Sequence, residues 1–200
     1  QYLQHAQKAD PKRAAAMISS VSQTLIEQID GLARIATAFS NFAKMPKAEQ
    51  EWFSLNDAVR ANYQLFTEHQ EPAEKFHLNL PKQPLQVFAD KGHFNRVLTN
   101  LLKNAQQAIP ADRAGEITLS LKQEGERAIV QVQDNGSGIP KEVQPKVFQP
   151  NFTTKSSGMG LGLAMCKSMM EAAGGTIEFE TKLGEGTTFT ISLPIDEAQR

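Results

Sequence analysis

The chain has 200 residues, 40% of them hydrophobic, which is enough for one sizeable domain with a helical appendage and excludes wholesale disorder. Its formal net charge of −1 gives no global electrostatic reason to expect nucleic acid or an anionic membrane as a partner. A single cysteine, Cys166, excludes an internal disulfide framework, and the sequence shows neither a signal peptide nor an apolar run of about 18 residues.

Residues 14–45 have helical periodicity. Alternate steps of three and four residues reach a mostly apolar stripe: Ile18, Val21, Leu25, Gln28, Leu32, Ile35, Phe39 and Phe42. Such a stripe is typical of a helical bundle or a coiled-coil seam. Residues 1–8 are predicted to end an earlier helix, with Asp10-Pro11 as the turn. We expect a partner chain to cover the apolar face; packing of the helix on its own domain is the alternative.

Strand and helix patterns alternate after Pro46. The patterns predict a short strand at Trp52-Phe53, a helix to about Glu68 capped by Ser54 or Asn56, strands at Phe76–Leu80 and Leu85–Ala89, a helix over 92–109, a hairpin of 117–122 and 128–133, a helix over about 160–173, and a hairpin of 176–181 and 187–193. This order predicts an α+β two-layer sandwich, with a mixed sheet and its helices on one face. We predict a partial helical hairpin over 1–46, a linker over 47–52 and a second domain over 53–197.

The predicted helix over 92–109 has an apolar face and a polar face. Asn100, Lys103 and Asn104 share the polar face at i, i+3 and i, i+4 spacing. Asparagine is a poor helix former, so two of them one turn apart indicate a use for their side chains. A carboxamide oxygen can complete an octahedral Mg2+ shell that is otherwise made of water and phosphate oxygens. An ordinary solvated helix face is the alternative.

Asp134 follows a predicted strand and begins the segment Asp134-Asn135-Gly136-Ser137-Gly138. A carboxylate buried at a strand end can accept a hydrogen bond from an exocyclic amine such as the adenine amino group. The glycines allow the backbone to approach a flat ring closely. A plain Asp-Asn-Gly turn is the alternative.

The segment Ser157–Leu163 is rich in glycine and precedes a predicted helix, whose unpaired N-terminal amides favour phosphate. A dinucleotide-binding fingerprint is not supported, because no βαβ unit with a ribose-binding acid surrounds it, and the lysine-serine pair of a P-loop is absent. Thr153–Ser157, which includes Lys155, is predicted to be a lid that closes over phosphates. Gly184-Glu185-Gly186 by itself indicates only a hairpin turn.

Together, the order and spacing of these segments resemble the N, G1, F, G2 and G3 boxes of histidine kinase catalytic domains, members of the superfamily of gyrase, Hsp90, histidine kinases and MutL. The five segments are Asn100–Ala105, Asp134-x-Gly136-x-Gly138, Phe148-x-Pro150-x-Phe152, Gly158-x-Gly160-x-Gly162 and Gly184-x-Gly186-Thr187. The resemblance covers residues 53–194. It implies a Bergerat-type α/β sandwich that holds ATP between the N-box helix and the lid.

The resemblance also implies roles for individual residues. Asn104 is similar to the asparagine that coordinates Mg2+, with Asn100 and Lys103 near the phosphates. Asp134 is similar to the aspartate that binds adenine, with Thr187 near the adenine end. The walls of the base pocket would be Gly136, Gly138 and Ile139, and the phosphate-binding amides would be those of Gly158, Gly160, Leu161, Gly162 and Leu163. The lid would contribute Thr153, Thr154, Lys155 and Ser157.

The acceptor histidine of this family lies in a His-(Glu/Asp)-x-(Lys/Arg)-(Asn/Thr)-Pro-Leu segment on the first dimerisation helix. None of the four histidines has that context: His5, His69, His77 and His93. We therefore interpret all four as solvated or structural, and expect a piece that follows the acceptor and does not autophosphorylate. The stretch Val21–Pro46 resembles the second dimerisation helix and exit linker of nitrogen-regulation (NtrY-like) sensor kinases.

The resemblance implies transfer of the γ-phosphate of Mg-ATP to a histidine, for relay to the aspartate of a response regulator. It also implies a homodimer through the 14–45 helix, a cytoplasmic location for this piece and a parent anchored in the bacterial inner membrane. A related ATP hydrolase is one alternative, but such enzymes have a glutamate one turn before the metal asparagine, where this chain has Asn100. A docking module with a vestigial nucleotide site is the other.

Overall fold

The computed structural model describes residues 16–26, 28, 29, 31, 33, 48–68, 74–153 and 160–195. The chain divides into two compact units, Gln1–Met45 and Pro46–Arg200. In the first unit every described residue is helical, and the exposed large hydrophobic side chains are Met17, Ile18, Val21, Leu25, Ile26 and Ile29. None of the described helices is long and apolar enough to cross a membrane. The predicted turn at Asp10-Pro11 lies outside the described residues.

The described part of the second unit contains seven strands in two sheets. The strands are β1 (Glu51–Ser54), β2 (Glu74–Asn79), β3 (Gln86–Ala89), β4 (Gly115–Glu124), β5 (Arg127–Asp134), β6 (Thr176–Lys182) and β7 (Gly186–Pro194). β1 and β3 form an antiparallel pair, and the other strands form a five-stranded sheet in the order β2-β4-β5-β7-β6. The β2–β4 pair is parallel and the other pairs of this sheet are antiparallel, so the sheet is mixed.

Three α-helices are described in this unit: α1 (Leu55–Thr67), α2 (Lys91–Ala108) and α3 (Gly162–Ala172). α2 contacts both α1 and α3, and it packs on β4, β5 and β7. The helices therefore form one layer on the five-stranded sheet. Their apolar sides supply much of the core, which includes Leu55, Val59, Phe94, Leu98, Leu101, Leu102 and Met170.

Capping side chains determine where the two longer helices begin. Ser54 Oγ accepts a hydrogen bond from Asp57 N (3.2 Å) at the start of α1. Asp90 Oδ1 accepts one from His93 N (2.8 Å) at the start of α2. Each bond satisfies a backbone amide that has no partner inside its helix.

The register of the sheet places Asp134 on the side that faces the core. One row of paired positions crosses four strands, from Ile117 on β4 through Asp134 and Thr187 to Thr181 on β6. The neighbouring core-facing row contains Leu119, Val132, Phe189 and Phe179. Because side chains alternate along a strand, the Asp134 carboxylate lies at the rim of the core and away from the solvent-exposed side of the sheet.

The predicted fold class is confirmed: an α+β two-layer sandwich, with a mixed sheet and its helices on one side. Two details differ from the prediction. Glu51, assigned to the linker, belongs to β1 together with the predicted strand residues Trp52 and Phe53, and β1 pairs with β3 outside the main sheet. Asn56 does not cap α1; it is buried, where it accepts a hydrogen bond from Leu85 N (3.0 Å) and donates one to Pro81 O (3.0 Å).

Candidate functional site

Asp134 ends β5 as a buried carboxylate with a fixed orientation. Its Oδ1 accepts hydrogen bonds from Gly136 N (2.8 Å) and Thr187 N (3.3 Å), and the residue is 5% exposed. Among the described residues, none donates to its second oxygen, Oδ2. Burial raises the pKa of Asp134, and the two backbone hydrogen bonds oppose that rise. The carboxylate therefore has one oxygen held by the protein and the other available to a hydrogen-bond donor.

The turn after Asp134 is bonded directly to the C-terminal end of α2. Ser137 N donates to Ala108 O (2.9 Å), which is one of the carbonyls that a helix end leaves without an internal partner. The backbones approach so closely that a Cβ at Gly136 would lie 2.6 Å from the same Ala108 oxygen. Only glycine fits at that position. The helix with the two asparagines and the turn with the aspartate therefore form one continuous wall.

Asn100 and Asn104 lie on successive turns of α2, and both are half-buried. Asn104 Nδ2 donates to Asn100 Oδ1 (3.0 Å), which orients both carboxamides. Lys103, on the same helix, is exposed. Ala108 is one further turn along, so positions 100, 104 and 108 share a face and span about 12 Å of helix.

The N-terminus of α3 lies against the other end of this face. A Cβ at Gly162 would come within 2.6 Å of Asn100 Nδ2, so the first residue of α3 is next to that carboxamide. Among the described residues, no side chain caps α3, and its first amides are directed outward from the helix start. Of the predicted phosphate-binding residues, Leu161 is buried, and Gly160, Gly162 and Leu163 are half-buried at this end of the helix.

Part of the predicted lid lies outside the described residues: Thr154, Lys155 and Ser157. The predicted phosphate-binding residue Gly158 lies outside them as well. Thr153, which precedes them, is exposed. On the chain before the lid, the Phe148 ring contacts Phe179 (centroids 5.8 Å apart) and Phe189 (6.5 Å) in edge-on geometry. Lys167 Nζ of α3 lies 5.9 Å from the Phe148 ring centroid. Phe148 thus anchors the chain before the lid to β6 and β7 and to α3.

Arg113 is a site residue that the sequence did not indicate. Its Nη1 donates to three carbonyl oxygens, those of Asn135 (2.5 Å), Gly136 (2.9 Å) and Gly184 (3.1 Å). It therefore ties the turn after Asp134 to the turn between β6 and β7. The partners are backbone carbonyls, which have no signature in the sequence, so no motif could have identified this arginine.

Thr187 and Ile139 are connected through a second residue that no motif includes, Thr181. The Thr181 hydroxyl oxygen is 2.9 Å from Ile139 N, 3.0 Å from Thr187 Oγ1 and 3.0 Å from Gly186 O. Thr187 is the strand partner of Asp134, and both side chains are on the same side of the sheet. Among the predicted base-pocket residues, Gly136 and Thr187 therefore bond directly to Asp134, and Ile139 is linked to Thr187 through Thr181. Gly138, which precedes Ile139, has a left-handed backbone and packs against the end of β6.

This part of the chain matches a known protein family, and the chain has named relatives. Residues 89–197, which contain the whole wall described above, match the family described as histidine kinase-, DNA gyrase B-, and HSP90-like ATPase. Sporulation kinase D of Bacillus subtilis (strain 168) is 40% identical over 116 residues, 58% of this chain and 22% of the relative. Nitrogen regulation protein NtrY of Azorhizobium caulinodans is 33% identical over 178 residues, 86% of this chain and 23% of the relative. The chain spans less than a quarter of the length of either relative.

Solved structures of a histidine kinase are also similar to this chain. The nucleotide-free catalytic domain of histidine kinase ThkA is 33% identical, with a TM-score of 0.67 over 76% of this chain and 99% of that one. ThkA in complex with the response regulator protein TrrA is 28% identical, with a TM-score of 0.70 over 88% of this chain and 51% of that one.

Proposed function

The chain belongs to the family of histidine kinase-, DNA gyrase B- and HSP90-like ATPases and carries the ATP-binding catalytic domain of a sensor histidine kinase, and we propose that it transfers the γ-phosphate of Mg-ATP to a histidine. The observation that supports this most strongly is the hydrogen bond from Ser137 N to Ala108 O. It places the Asp134 turn and the Asn100–Asn104 face on one wall, where a single nucleotide can reach both.

In our proposal the adenine binds at the Asp134 end of this wall. Asp134 Oδ2 accepts a hydrogen bond from the 6-amino group, because Oδ1 is already held by two backbone amides. Gly136, Gly138 and Ile139 line the ring, and Thr187 lies beside the carboxylate. A hydrogen bond to an ionised carboxylate is stronger than one between neutral groups, so this contact favours adenine.

The triphosphate then extends along α2 towards α3. We propose that Asn100 and Lys103 contact phosphate oxygens and that the first amides of α3, at Gly160 to Leu163, receive the terminal phosphates. The closeness of α3 to Asn100 supports this, as does the lack of a capping side chain among the described residues, since a helix N-terminus favours anions. In this proposal Thr153, Thr154, Lys155 and Ser157 complete the phosphate site as a lid, and the backbone amide of Gly158 also contacts a phosphate.

Asn104 fits the role of Mg2+ ligand. Its nitrogen donates to Asn100 Oδ1, so its oxygen is oriented away from that bond, and an amide oxygen suits a hard cation. The described residues contain no cluster of three His, Cys, Asp or Glu side chains that could hold a metal by themselves. One protein oxygen combined with phosphate oxygens and water is the usual Mg2+ arrangement. Bound Mg2+ would neutralise charge on the transferring phosphoryl oxygens.

The transfer itself needs positioning more than covalent chemistry. A histidine ring nitrogen attacks the γ-phosphorus in line, the new P–N bond forms, the bond to the β,γ-bridging oxygen breaks, and ADP leaves. The wall holds the nucleotide at both ends, and Lys103 and the α3 amides stabilise charge on the phosphoryl oxygens. The phosphate would pass next to the aspartate of a response regulator receiver domain, a partner class seen with ThkA.

We extend the proposal to the organisation of the parent protein. Residues 1–46 would be part of a dimerisation hairpin without the acceptor histidine, 47–52 a linker and 53–197 the catalytic domain. The homodimer would form through the 14–45 helix. This portion would work in the cytoplasm, with the parent anchored in the bacterial inner membrane.

Mixing the chain with Mg-ATP and a separate helical peptide that carries the family's acceptor segment tests the transfer. We expect acid-labile phosphate on the peptide, and none when the peptide histidine is replaced by glutamine or when the chain carries Asn104→Ala. Mg-ATP binding without transfer would contradict the kinase proposal. Absence of binding heat in a titration with Mg-ATP would contradict the nucleotide site itself.

A related ATP hydrolase is disfavoured by Asn100. Hydrolases of this superfamily need a general base one turn before the metal asparagine, and a carboxamide cannot take a proton. We expect negligible ATP hydrolysis by the unaltered chain. A gain of hydrolysis in Asn100→Glu would agree with this reasoning.

A further inference from the structure

Thr181 makes three short contacts that allow only one arrangement of hydrogen atoms. The Ile139 amide is solely a donor, the Gly186 carbonyl is solely an acceptor, and the Thr181 hydroxyl has one hydrogen and two acceptor lone pairs. For all three contacts to be hydrogen bonds, Thr181 must donate its single hydrogen to Gly186 O. It then accepts from Ile139 N with one lone pair.

The third contact, to Thr187, is thereby determined. The Thr181 hydrogen is already used, so the 3.0 Å contact between the two hydroxyl oxygens requires Thr187 to donate and Thr181 to accept. The Thr187 hydroxyl hydrogen consequently points to Thr181 and away from any ligand. What Thr187 can offer a ligand beside Asp134 is lone pairs only.

We infer that Thr181 is a positioning residue that sets which purine the site accepts, an inference that rests on the proposed nucleotide site. With Thr187 held as an acceptor beside the carboxylate, this end of the pocket presents acceptors to the 6-position of a purine. A 6-amino group can donate to them, whereas a 6-keto oxygen is itself an acceptor and meets lone pairs. Thr181 thus reinforces discrimination against keto purines without contacting the base.

Thr181 also fixes the backbone of the base pocket. The bond from Ile139 N holds the segment after Gly138 against β6, 42 residues further along the chain. A purely structural residue would act through this bond and would weaken all nucleotides to the same degree. A residue that controls the Thr187 hydroxyl instead changes the ratio of the affinities for amino and keto purine nucleotides. This difference distinguishes a positioning role from a purely structural one.

The test is isothermal titration of the whole chain with Mg-ATP and with the magnesium complex of inosine triphosphate, which carries a keto oxygen in place of the 6-amino group. In Thr181→Val, the released Thr187 hydroxyl can rotate and donate to the keto oxygen. We expect the preference for ATP over inosine triphosphate to fall by about fivefold, the value of roughly one hydrogen bond. Thr181→Ser keeps the hydroxyl and should restore the wild-type ratio.

Thr188→Val provides the matched control, because Thr188 is on the same hairpin but on the opposite side of the sheet. It should leave the ratio unchanged. An equal loss of both affinities in Thr181→Val, or no change, would overturn the inference while leaving the nucleotide site intact. Thr181→Ala must give the same shift in ratio, and serves as the test if the valine variant does not fold. A wild-type chain that binds neither nucleotide would overturn the proposed function first, and this inference with it.

Discussion

In the protein without nucleotide, the Asp134 carboxylate is buried, and this burial lowers the free energy of unfolding. Burial holds its pKa above the usual value of 3.8, because a charged carboxylate is less well solvated there than in the unfolded chain. As pH rises from 3.8 through the raised pKa, the unfolded state releases its proton first, and the folded state loses relative stability. Such an arrangement is expected where a carboxylate is kept to recognise a ligand.

Asp134→Asn separates recognition from folding. Asparagine keeps an oxygen for Gly136 N and Thr187 N but places an N–H donor where Oδ2 was, so it repels the adenine amino group. We expect ATP affinity to fall by about tenfold to a hundredfold, the value of a hydrogen bond to a charged group. Isothermal titration measures the loss.

The same substitution, Asp134→Asn, should maintain or raise the stability of the fold while it lowers ATP affinity. Without nucleotide, the free energy of unfolding of Asp134→Asn at pH 7 should equal or exceed that of the wild type, and its advantage should shrink as the pH is lowered towards 3.8. Urea unfolding at both pH values measures this, with Asp112→Asn in an exposed turn as the control. Lost binding together with a lower free energy of unfolding at pH 7 would mean that Asp134 is mainly structural.

At the scale of elements, α2 organises the site, because its start, middle and end each make a different connection. Its middle carries Asn100 and Asn104, and its end accepts the bond from Ser137 N. At its start, Asp90 uses both oxygens: Oδ1 caps the helix, and Oδ2 accepts from Glu49 N (2.8 Å) in the segment before β1. Asp90 thus connects the start of α2 to the segment just before β1.

Asp90 should contribute stability that depends on pH. Burial alone would raise its pKa, but the backbone hydrogen bonds from His93, Glu49 and Gly92 and the charge of His93 outweigh that effect and lower it below 3.8. A carboxyl group with a lowered pKa stabilises the fold above pH 3.8, and this stabilisation is lost as pH falls through the lowered value. Its contribution is therefore full at neutral pH.

Replacement of Asp90 by alanine removes the hydrogen bonds from His93 N and Glu49 N. We expect the free energy of unfolding to fall by about 1–2 kcal/mol at pH 7, as for a lost helix cap, and the difference from the wild type to narrow below pH 3.8. Urea unfolding across that range measures it. Asp112→Ala is the matched control. An equal loss of unfolding free energy in that variant would show that the effect is not specific to Asp90.

At the scale of the whole molecule, the described helix of the first unit exposes an apolar stripe. Val21, Leu25 and Ile29 are 48%, 56% and 62% exposed, and they recur at the four-residue spacing of one helix face. A stripe of this kind is typical of an interface between helices. This exposure supports the proposed homodimer.

Leu25→Glu should dissociate that dimer. A charge buried at an apolar helix interface is unpaired and costly, so we expect the dimer dissociation constant to rise by about tenfold or more. Sedimentation equilibrium measures the constant. Ser20→Glu adds the same charge at an exposed polar position on the opposite face of the same helix and should leave it unchanged. An unchanged constant in Leu25→Glu would exclude this face as the interface.

Local patterns along the chain were enough to predict the helices and strands of the second unit. The helix predicted over 92–109 is α2 at Lys91–Ala108, and the strand predicted at Leu85–Ala89 is β3 at Gln86–Ala89. These features follow from periodicity, caps and turns, which depend on neighbours within a few residues. The motifs likewise indicated Asn104, Asp134 and Thr187, because side-chain chemistry at fixed spacing can be read along the chain.

The contacts of those residues became visible only in the folded chain. It paired β1 with β3 in a separate sheet and buried Asn56, which the sequence offered as a cap. It also brought Arg113 to a carbonyl 71 residues away, and placed Thr181 between Ile139 and Thr187. Backbone carbonyls and amides are the same in every residue, so their long-range partners leave no pattern in the sequence, and folding alone selects which ones meet.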